Sequence, residues 1–381
     1  MDSFKDIRPY QDDEIRSVID SLLKNSEFVR SIASFYYPRL TRFLPQLMCS
    51  LASKRLKTQL KDVHDVASMQ DVIAVYMDKM IEDTTTGLTN SGMENLGGDK
   101  SYLFISNHRD IAMDPAFVNY MLYHAGFETL QIAIGDNLLK KPFVTDLMRL
   151  NKSFIVMRSL KGRELLKSLT VLSEYIHHCI ETKQNVWIAQ REGRAKDGID
   201  KTDPTLLKML AMAHRKRPLS ETLAKLHIVP IAISYEYDTC DKLKAEELYQ
   251  IEKTGSFAKT DKSDIDSIVM GMIGYKGHVH VAFGNELVYN GDDPEQIAEL
   301  INEQITENYQ LRDSNYIALE KLRELGTVEI PTLSAEVRAH QISESSRVEF
   351  EERLAEIDTR LHTHYLSNYA NAVITRFSQR D

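Results

Sequence analysis

The sequence predicts an α/β protein in which a central mixed sheet is flanked by helices, with a helical region before it and a helical extension after it. Between residues 103 and 309, short apolar runs alternate with segments of helical length, as expected for strands and helices packed in layers. Before residue 83 and after residue 331, apolar residues recur at intervals of three and four, which indicates helices. The expected divisions are 1–83, 84–325 and 326–381.

The overall composition is that of a soluble globular protein. The chain has 381 residues, of which 43% are hydrophobic and 27% are charged, with a net charge of -9 that argues against general nucleic-acid binding. Cys49, Cys179 and Cys240 lie far apart, so neither a disulfide framework nor a structural zinc site is expected. The N-terminus is too acidic and too polar for a signal peptide, so none is expected, and no window reaches the ~20 apolar residues of a spanning helix. The prediction is a cytosolic protein or one bound to a membrane surface.

The N-terminal helical region contains a basic and aromatic segment at residues 28–57. Between Ser21 and Leu60 the only acidic residue is Glu27. One interpretation is a helical bundle with a solvated basic face. The other is a surface that rests on anionic lipid, which requires both charge attraction and apolar area.

Residues 84–100 are rich in glycine, threonine and asparagine and are expected to form a connector. From Pro331 onward, the apolar spacing predicts a terminal helical hairpin that docks on the α/β domain or on another subunit. In between, the predicted strands are 103–106, 130–134, 153–157, 186–189, 228–234 and 278–283. The predicted helices include 115–123, 141–150, 163–181, 205–214 and 294–309.

The loop after the first predicted strand, SNHRDIAMDP, combines a histidine with two aspartates. The pair Asp114–Pro115 is a typical helix start, with aspartate as the cap and proline in the first turn. His108 beside Asp110 or Asp114 can act as a general base that deprotonates a substrate hydroxyl. The same three side chains can instead form hydrogen bonds with the loop backbone, or they can bind a metal. The histidine pairs His177–His178 and His278–His280 give no clear support for a metal site.

A second group of candidates, QREGRAKDG, follows the apolar run 186–189 directly. Arg191, Arg194 and Lys196 cluster around Gly193, and such a cluster at the carboxyl end of a strand can hold an anionic group, phosphate above all. Arg149 and Arg158 flank the strand 153–157 and add two more candidate cations. The alternative is an exposed basic turn.

Four blocks in order resemble the glycerol-phosphate and lysophospholipid acyltransferases, and especially the bacterial glycerol-3-phosphate acyltransferases. They are NHRDIAMDP, IGDNLLKKPFVTDLMRLNKSFIVMRS, REGRAKDG and IVPIAISYE. Five residues separate His108 from Asp114, one more than in the family pattern, and the third block is one residue short after its glutamate. The partner of His108 is therefore Asp114 or Asp110, and the family glutamate corresponds to Glu192 or Arg191.

The resemblance implies the glycerolphosphate acyltransferase-like fold and a mechanism. His108 would take the proton from a glycerol hydroxyl, Asp114 would orient His108, and the oxygen would attack the thioester of acyl-CoA or acyl-carrier-protein. No metal and no cofactor beyond the acyl donor is implied. Glycerol phosphate or a lysophospholipid would be held by Arg158, Glu192, Gly193, Arg194 and Lys196, with Pro230 near the acyl or acceptor site.

The leading hypothesis is thus an acyltransferase of phospholipid biosynthesis, peripheral on the inner membrane surface. A second hypothesis is a catalytically weakened relative that binds lipid or acyl-carrier-protein. A third, a metal-dependent hydrolase, rests on His108, Asp110 and Asp114 alone.

Overall fold

The computed structural model describes residues 2–258 and 261–378 of the chain. The strands are β1 (Gly87–Ser91), β2 (Leu103–Ser106), β3 (Gln131–Gly135), β4 (Ser153–Val156), β5 (Val186–Ala189), β6 (Ile228–Tyr235) and β7 (His278–Phe283). The helices are α1 (Asp12–Lys24), α2 (Ser26–Tyr36), α3 (Pro38–Phe43), α4 (Pro45–Gln59), α5 (Val66–Thr84), α6 (Met113–His124), α7 (Pro142–Leu150), α8 (Gly162–Glu181), α9 (Pro204–Leu210), α10 (Leu219–Ala224), α11 (Asp241–Thr254), α12 (Asp261–Ile273), α13 (Pro294–Asn308), α14 (Asp313–Leu325), α15 (Glu344–Ala355) and α16 (His362–Phe377).

All six predicted strands are present, each within one residue of its expected ends, and the predicted fold class is confirmed. The expected connector 84–100 was wrong in part because it contains β1, a half-exposed strand that pairs with β7 alone. The segment GLTNS has glycine, asparagine and serine beside its one threonine and shows no apolar alternation, so it gave no clear strand signal. The predicted helix 205–214 divides into α9 and a short 3₁₀ turn at Met212–His214.

Contacts within the chain define two compact units, residues 1–78 with 129–176 and residues 79–128 with 177–381. These units are not consecutive segments, so the expected domains 1–83, 84–325 and 326–381 stay a prediction. No helix in the two described ranges has the length and apolar character needed to cross a membrane.

The first unit is built from N-terminal helices and the parallel pair β3–β4. Gln11 and Glu14 form a capping box at the start of α1, and the Asn25 side chain accepts from the Phe28 N–H at 3.0 Å to cap α2. The buried faces of α1, α2, α4 and α7 form one core of Ile15, Ile19, Leu22, Phe28, Val29, Leu56, Phe143 and Leu150. The predicted helical N-terminal region is confirmed.

The second unit contains the strands β1, β7, β6, β2 and β5 in that spatial order. β2 runs parallel to both neighbours, β5 and β6, whereas β6 and β7 are antiparallel. β2 and β6 are buried along their whole length, which explains why the sequence shows them as continuous apolar runs.

The C-terminal hairpin of α15 and α16 packs within the second unit. Of the two predicted alternatives, docking on the α/β domain or on another subunit, the structure shows the first. Phe350 of α15 and Tyr365 and Tyr369 of α16 pack in one core with Ile317 and Leu322 of α14. Gly198 adopts a positive φ of 80°, and a Cβ there would lie 2.2 Å from the carbonyl oxygen of Asn368 in α16. The hairpin therefore packs directly on the loop that follows β5.

Candidate active site

The candidate site lies in the second unit, at the carboxyl edge of three neighbouring parallel strands. Because β5, β2 and β6 are parallel, the segments that leave their carboxyl ends meet at one edge of the sheet. Residues 107–112 follow β2, residues 190–203 follow β5, and Tyr235 is the last residue of β6. Two of the sequence-predicted groups are thereby brought together.

His108 is paired with Asp114. The distance between His108 Nδ1 and Asp114 Oδ2 is 2.8 Å, and the Asp114 side chain is completely buried. A carboxylate can only accept hydrogen bonds, so Nδ1 carries the proton and Nε2 keeps a free lone pair. This geometry answers the open question of the partner in favour of Asp114.

The two nitrogens of His108 face different surroundings. Among the described residues, none forms a hydrogen bond with Nε2, and the ring packs edge-on against Trp187 with centroids 5.9 Å apart. The side chain is 14% exposed. Nε2 is therefore the atom that can take a proton from a bound hydroxyl.

Asp110 does not pair with His108 but bonds to the backbone at the start of α6. Its Oδ1 accepts from the backbone N–H groups of Ala112 and Met113, both at 2.9 Å, at the start of α6. The expected cap at Asp114 was wrong, because α6 begins at Met113, its N-cap residue is Ala112, and Asp114 lies within the first turn. Burial and the neighbouring Asp114 raise the pKa of Asp110.

The loop after β2 and the loop after β5 are fastened to each other. The Ala195 N–H donates to the His108 carbonyl at 2.8 Å. The Arg109 guanidinium donates to Asp200 Oδ2 at 2.6 Å, and both side chains are less than a tenth exposed. Asn107 fixes the other side of the loop by bonding both the N–H and the carbonyl of Ile233 in β6.

The predicted anion-binding residues after β5 lie in the loop that contacts His108. Arg194 donates to Ser267 Oγ at 3.1 Å, and its Nη1 is buried with no hydrogen-bond partner among the described residues. Arg191 donates to the Ile199 carbonyl, and Lys196 forms an ion pair with Glu247. Glu192 and Gly193 are exposed, and Gly193 has a φ of 78°.

Three other predicted residues lie outside these loops. Arg149 belongs to the first unit, where it donates to the Arg8 and Lys5 carbonyls and covers the Tyr10 ring. Arg158 also belongs to the first unit and is exposed just after β4. Pro230 lies buried within β6, in register with Ile105 of β2. Their assignment to substrate binding stays a prediction.

The described part of the chain contains no group of three or more histidine, cysteine, aspartate or glutamate side chains arranged to hold a metal ion. The oxygens of Asp110 and Asp114 are instead used by hydrogen-bond donors. The metal hypothesis gains no support from this donor set.

Sequence reasoning missed Asn107, Arg109, Asp200 and Tyr235. Tyr235 Oη donates to Asp114 Oδ1 at 2.7 Å. Its signal was its place at the end of the strand segment IVPIAISYE, which leads to the same sheet edge as the histidine loop. Arg109 was visible beside His108, but its partner Asp200 is 91 residues away along the chain.

A histidine held by a buried carboxylate, next to a basic loop, has the chemistry to deprotonate a hydroxyl on an anionic molecule. Residues 87–234 match the family model described as Acyltransferase. The matched segment contains the histidine loop and the basic loop.

The related proteins are larger than the chain. It is 29% identical over 154 residues to a glycerol-3-phosphate acyltransferase of Xanthomonas axonopodis pv. citri, a match that spans 40% of the chain and 16% of that protein. A glycerol-3-phosphate acyltransferase of Alteromonas mediterranea is 28% identical over 189 residues, spanning 49% of the chain and 22% of that protein. The match thus covers about a fifth of these relatives.

One solved structure is also similar. It is the 1-acyl-sn-glycerophosphate acyltransferase PlsC from Thermotoga maritima, with a TM-score of 0.36 and 11% identity over 77% of this chain and 97% of that one. A TM-score of this size is too low to define a shared fold.

Proposed function

We propose that the protein transfers a fatty acyl group from acyl-CoA or acyl-carrier-protein to a hydroxyl of glycerol 3-phosphate or lysophosphatidic acid in phospholipid synthesis. The observation that supports it is the 2.8 Å pair of His108 and Asp114, with Nε2 left open, inside a segment that matches the acyltransferase family. The curated relatives are named glycerol-3-phosphate acyltransferases.

The chemistry requires one base and no covalent enzyme intermediate. His108 Nε2 takes the proton of the acceptor hydroxyl while its oxygen attacks the thioester carbonyl carbon. A new C–O bond forms, the C–S bond breaks, and the thiol leaves with the proton returned by His108. Asp114 holds Nδ1–H and stabilises the imidazolium that exists between the two proton transfers.

The acceptor phosphate would bind at the basic loop after β5. Within residues 2–258 and 261–378, Arg194 Nη1 is buried and has no hydrogen-bond partner, and a buried cationic donor of this kind is stabilised by an anionic ligand. Gly193 has open space where a Cβ would stand, so its backbone can approach a ligand closely. The acyl donor supplies the reactive thioester, and no further cofactor enters the proposal.

The test is an activity panel with the purified protein. Labelled acyl-CoA and acyl-carrier-protein are each combined with glycerol 3-phosphate, lysophosphatidic acid and lysophosphatidylcholine, and product is measured by thin-layer chromatography. Product is expected with at least one phosphate-bearing acceptor, and His108→Ala should remove it. His178→Ala, at an exposed site on α8, is the matched control and should keep wild-type activity.

Two outcomes would contradict the proposal. If wild type makes no product with any pair of substrates, the protein is better described as a binding relative without catalysis. If His108→Ala and wild type make product at equal rates, the activity exists but His108 is not its base. Binding of lipid or acyl-carrier-protein by an inactive wild type would support the second hypothesis.

We further propose that the enzyme works on a membrane surface, through an apolar ridge on α3 and α4. The ridge consists of Leu40, Phe43, Leu44, Leu47 and Leu51, all at least 44% exposed, with Phe43 at 76%. Apolar side chains concentrated on two short helices are typical of a surface that contacts lipid or protein.

Basic side chains continue from this ridge along α4. Lys54, Lys57 and Lys61 line a depression of about 480 Å³ together with Ser50, Ser53 and Thr58. Lysines beside an exposed apolar ridge match the chemistry of anionic lipid, which attracts the charges and accepts the apolar groups.

Vesicle sedimentation tests this surface. Binding to phosphatidylglycerol vesicles is expected to exceed binding to phosphatidylcholine vesicles and to weaken with salt. Phe43→Ala combined with Leu47→Ala should reduce it severalfold, whereas Val288→Ala, at a side chain 86% exposed in the second unit, should not. Equal binding by both variants would contradict the assignment of the ridge.

A further inference from the structure

Tyr235 ends β6 and reaches the aspartate that holds the catalytic histidine. Its hydroxyl donates to Asp114 Oδ1 at 2.7 Å, and its side chain is 6% exposed. The ring of Phe117, on α6, packs against the tyrosine ring with centroids 6.0 Å apart. The hydroxyl is thus held on the same side chain that orients His108.

Four donors bond to the carboxylate of Asp114. Its Oδ2 accepts from His108 Nδ1 and from the backbone N–H groups of Arg109 and Asp110, at 2.8, 2.7 and 3.0 Å. Among the described residues, Tyr235 is the single donor to Oδ1. Three of the four donors therefore share one oxygen, and Tyr235 holds the other.

The two oxygens do different work. Three donors from one loop converge on Oδ2, and the Tyr235 hydroxyl, from the end of β6, donates to Oδ1. Hydrogen bonds at both oxygens restrain rotation of the carboxylate about its Cβ–Cγ bond and so hold the plane of the group. The Oδ2 lone pair that accepts from His108 Nδ1 is then held in one direction.

Tyr235 is also a permanent donor. Burial, together with the charges of Asp114 and Asp110, raises its pKa well above the ordinary value. The hydroxyl therefore keeps its proton throughout the pH range of an assay.

We propose that Tyr235 is a positioning residue for acyl transfer, which acts by fixing the carboxylate of Asp114 and through it the tautomer and orientation of His108. The proposal rests on the proposed function and names a residue of the same site. Tyr235 touches neither the base atom Nε2 nor, in this assignment, the substrate.

Tyr235→Phe is the direct test, because it removes one oxygen and keeps the ring. We expect kcat to fall about ten- to hundredfold, the effect of losing one hydrogen bond to a charged group, with KM nearly unchanged. A change confined to KM would overturn the proposal, since it would mean that Tyr235 contacts substrate.

Tyr369→Phe is a matched control for loss of stability. The Tyr369 hydroxyl also donates to a buried carboxylate, Asp241 Oδ2, at 2.6 Å, and the side chain is 3% exposed. Both variants should lose thermal stability to a similar degree, but only Tyr235→Phe should lose kcat. Equal losses of kcat in the two variants would overturn the proposal in favour of a general structural effect.

A double substitution tests the route through Asp114. If Tyr235 acts through that carboxylate, Tyr235→Phe should lower kcat by less than about threefold when Asp114→Ala is already present and the assay is run below the melting temperature of that variant. A full additional loss would show that Tyr235 acts elsewhere and would overturn the proposal.

A measurement that does not depend on enzymatic activity can test the role of Tyr235 separately from the proposed acyl transfer. Nitrogen-15 NMR of labelled histidine should show neutral His108 as the Nδ1–H tautomer in wild type and as a mixture of tautomers in Tyr235→Phe. If wild type is inactive with every acceptor, the acyl-transfer proposal fails while this spectrum still decides the role of Tyr235. An unchanged tautomer together with an unchanged kcat would overturn it.

Discussion

Asp114→Asn removes the charge behind His108 while leaving room for every hydrogen bond. Four donors face the carboxylate, three of them at Oδ2 and the Tyr235 hydroxyl at Oδ1. An asparagine can place its carbonyl oxygen at Oδ2 and its amide nitrogen at Oδ1. The tyrosine hydroxyl can then turn and accept from that nitrogen, since a phenolic oxygen both donates and accepts.

The expected loss follows from this geometry. The Nδ1–H tautomer of His108 is kept, so the variant should avoid the penalty of a wrong tautomer. What disappears is the attraction between the carboxylate and the imidazolium that forms during proton transfer. Two charges about 4 Å apart attract by about 4 kcal/mol at an effective dielectric of about 20. We therefore expect kcat to fall by up to about three orders of magnitude, with KM changed little.

The assay is the initial rate of acyl transfer with the best donor and acceptor of the panel, alongside a thermal melt that confirms folding. Asp114→Ala is the contrasting variant, because it leaves buried donors without an acceptor, at a cost of about 1–3 kcal/mol each, and should unfold far more readily. A folded Asp114→Asn protein with kcat within about threefold of wild type would refute the role given to the carboxylate.

Three further predictions concern the second unit. Gly198→Ala should lower the free energy of unfolding by more than about 1 kcal/mol in urea titrations, since its Cβ would meet the Asn368 carbonyl at 2.2 Å and its φ is 80°; wild-type stability would contradict this. Arg109→Met should cost about 3–5 kcal/mol by leaving Asp200 buried and unpaired, and adding Asp200→Asn should recover part of the loss; strictly additive losses would contradict the pairing. Burial lowers the pKa of Lys276 from 10.5 to about 8, so the folded state disfavours its charge and this penalty is relieved as the pH rises from about 8 to 10.5. Wild type should therefore gain stability relative to Lys276→Met over that interval, and a constant difference would contradict the assignment.

Much of the fold could be predicted because its strands are buried on both faces. β2 and β6 read as uninterrupted apolar runs, and their boundaries were found to within one residue. β1 could not be found in this way, since GLTNS is polar, partly exposed and stabilised by its backbone pairing with β7. The start of α6 was misplaced because its N-cap, Ala112, has no capping side chain, and the carboxylate that accepts from its first N–H groups belongs to Asp110 in the preceding loop.

The sequence by itself determined the candidate base, the two aspartates beside it and the order of the blocks, because these features lie in short stretches of chain. Only the tertiary structure decided that Asp114 rather than Asp110 holds His108, since the choice depends on the path of a loop between β2 and α6. The tertiary structure also places the Tyr235 hydroxyl against Asp114, a residue 121 positions away along the chain, where it donates to Oδ1. Parallel strands bring their carboxyl ends to one edge of a sheet, and this physical adjacency has no counterpart in the distance between residues along the chain.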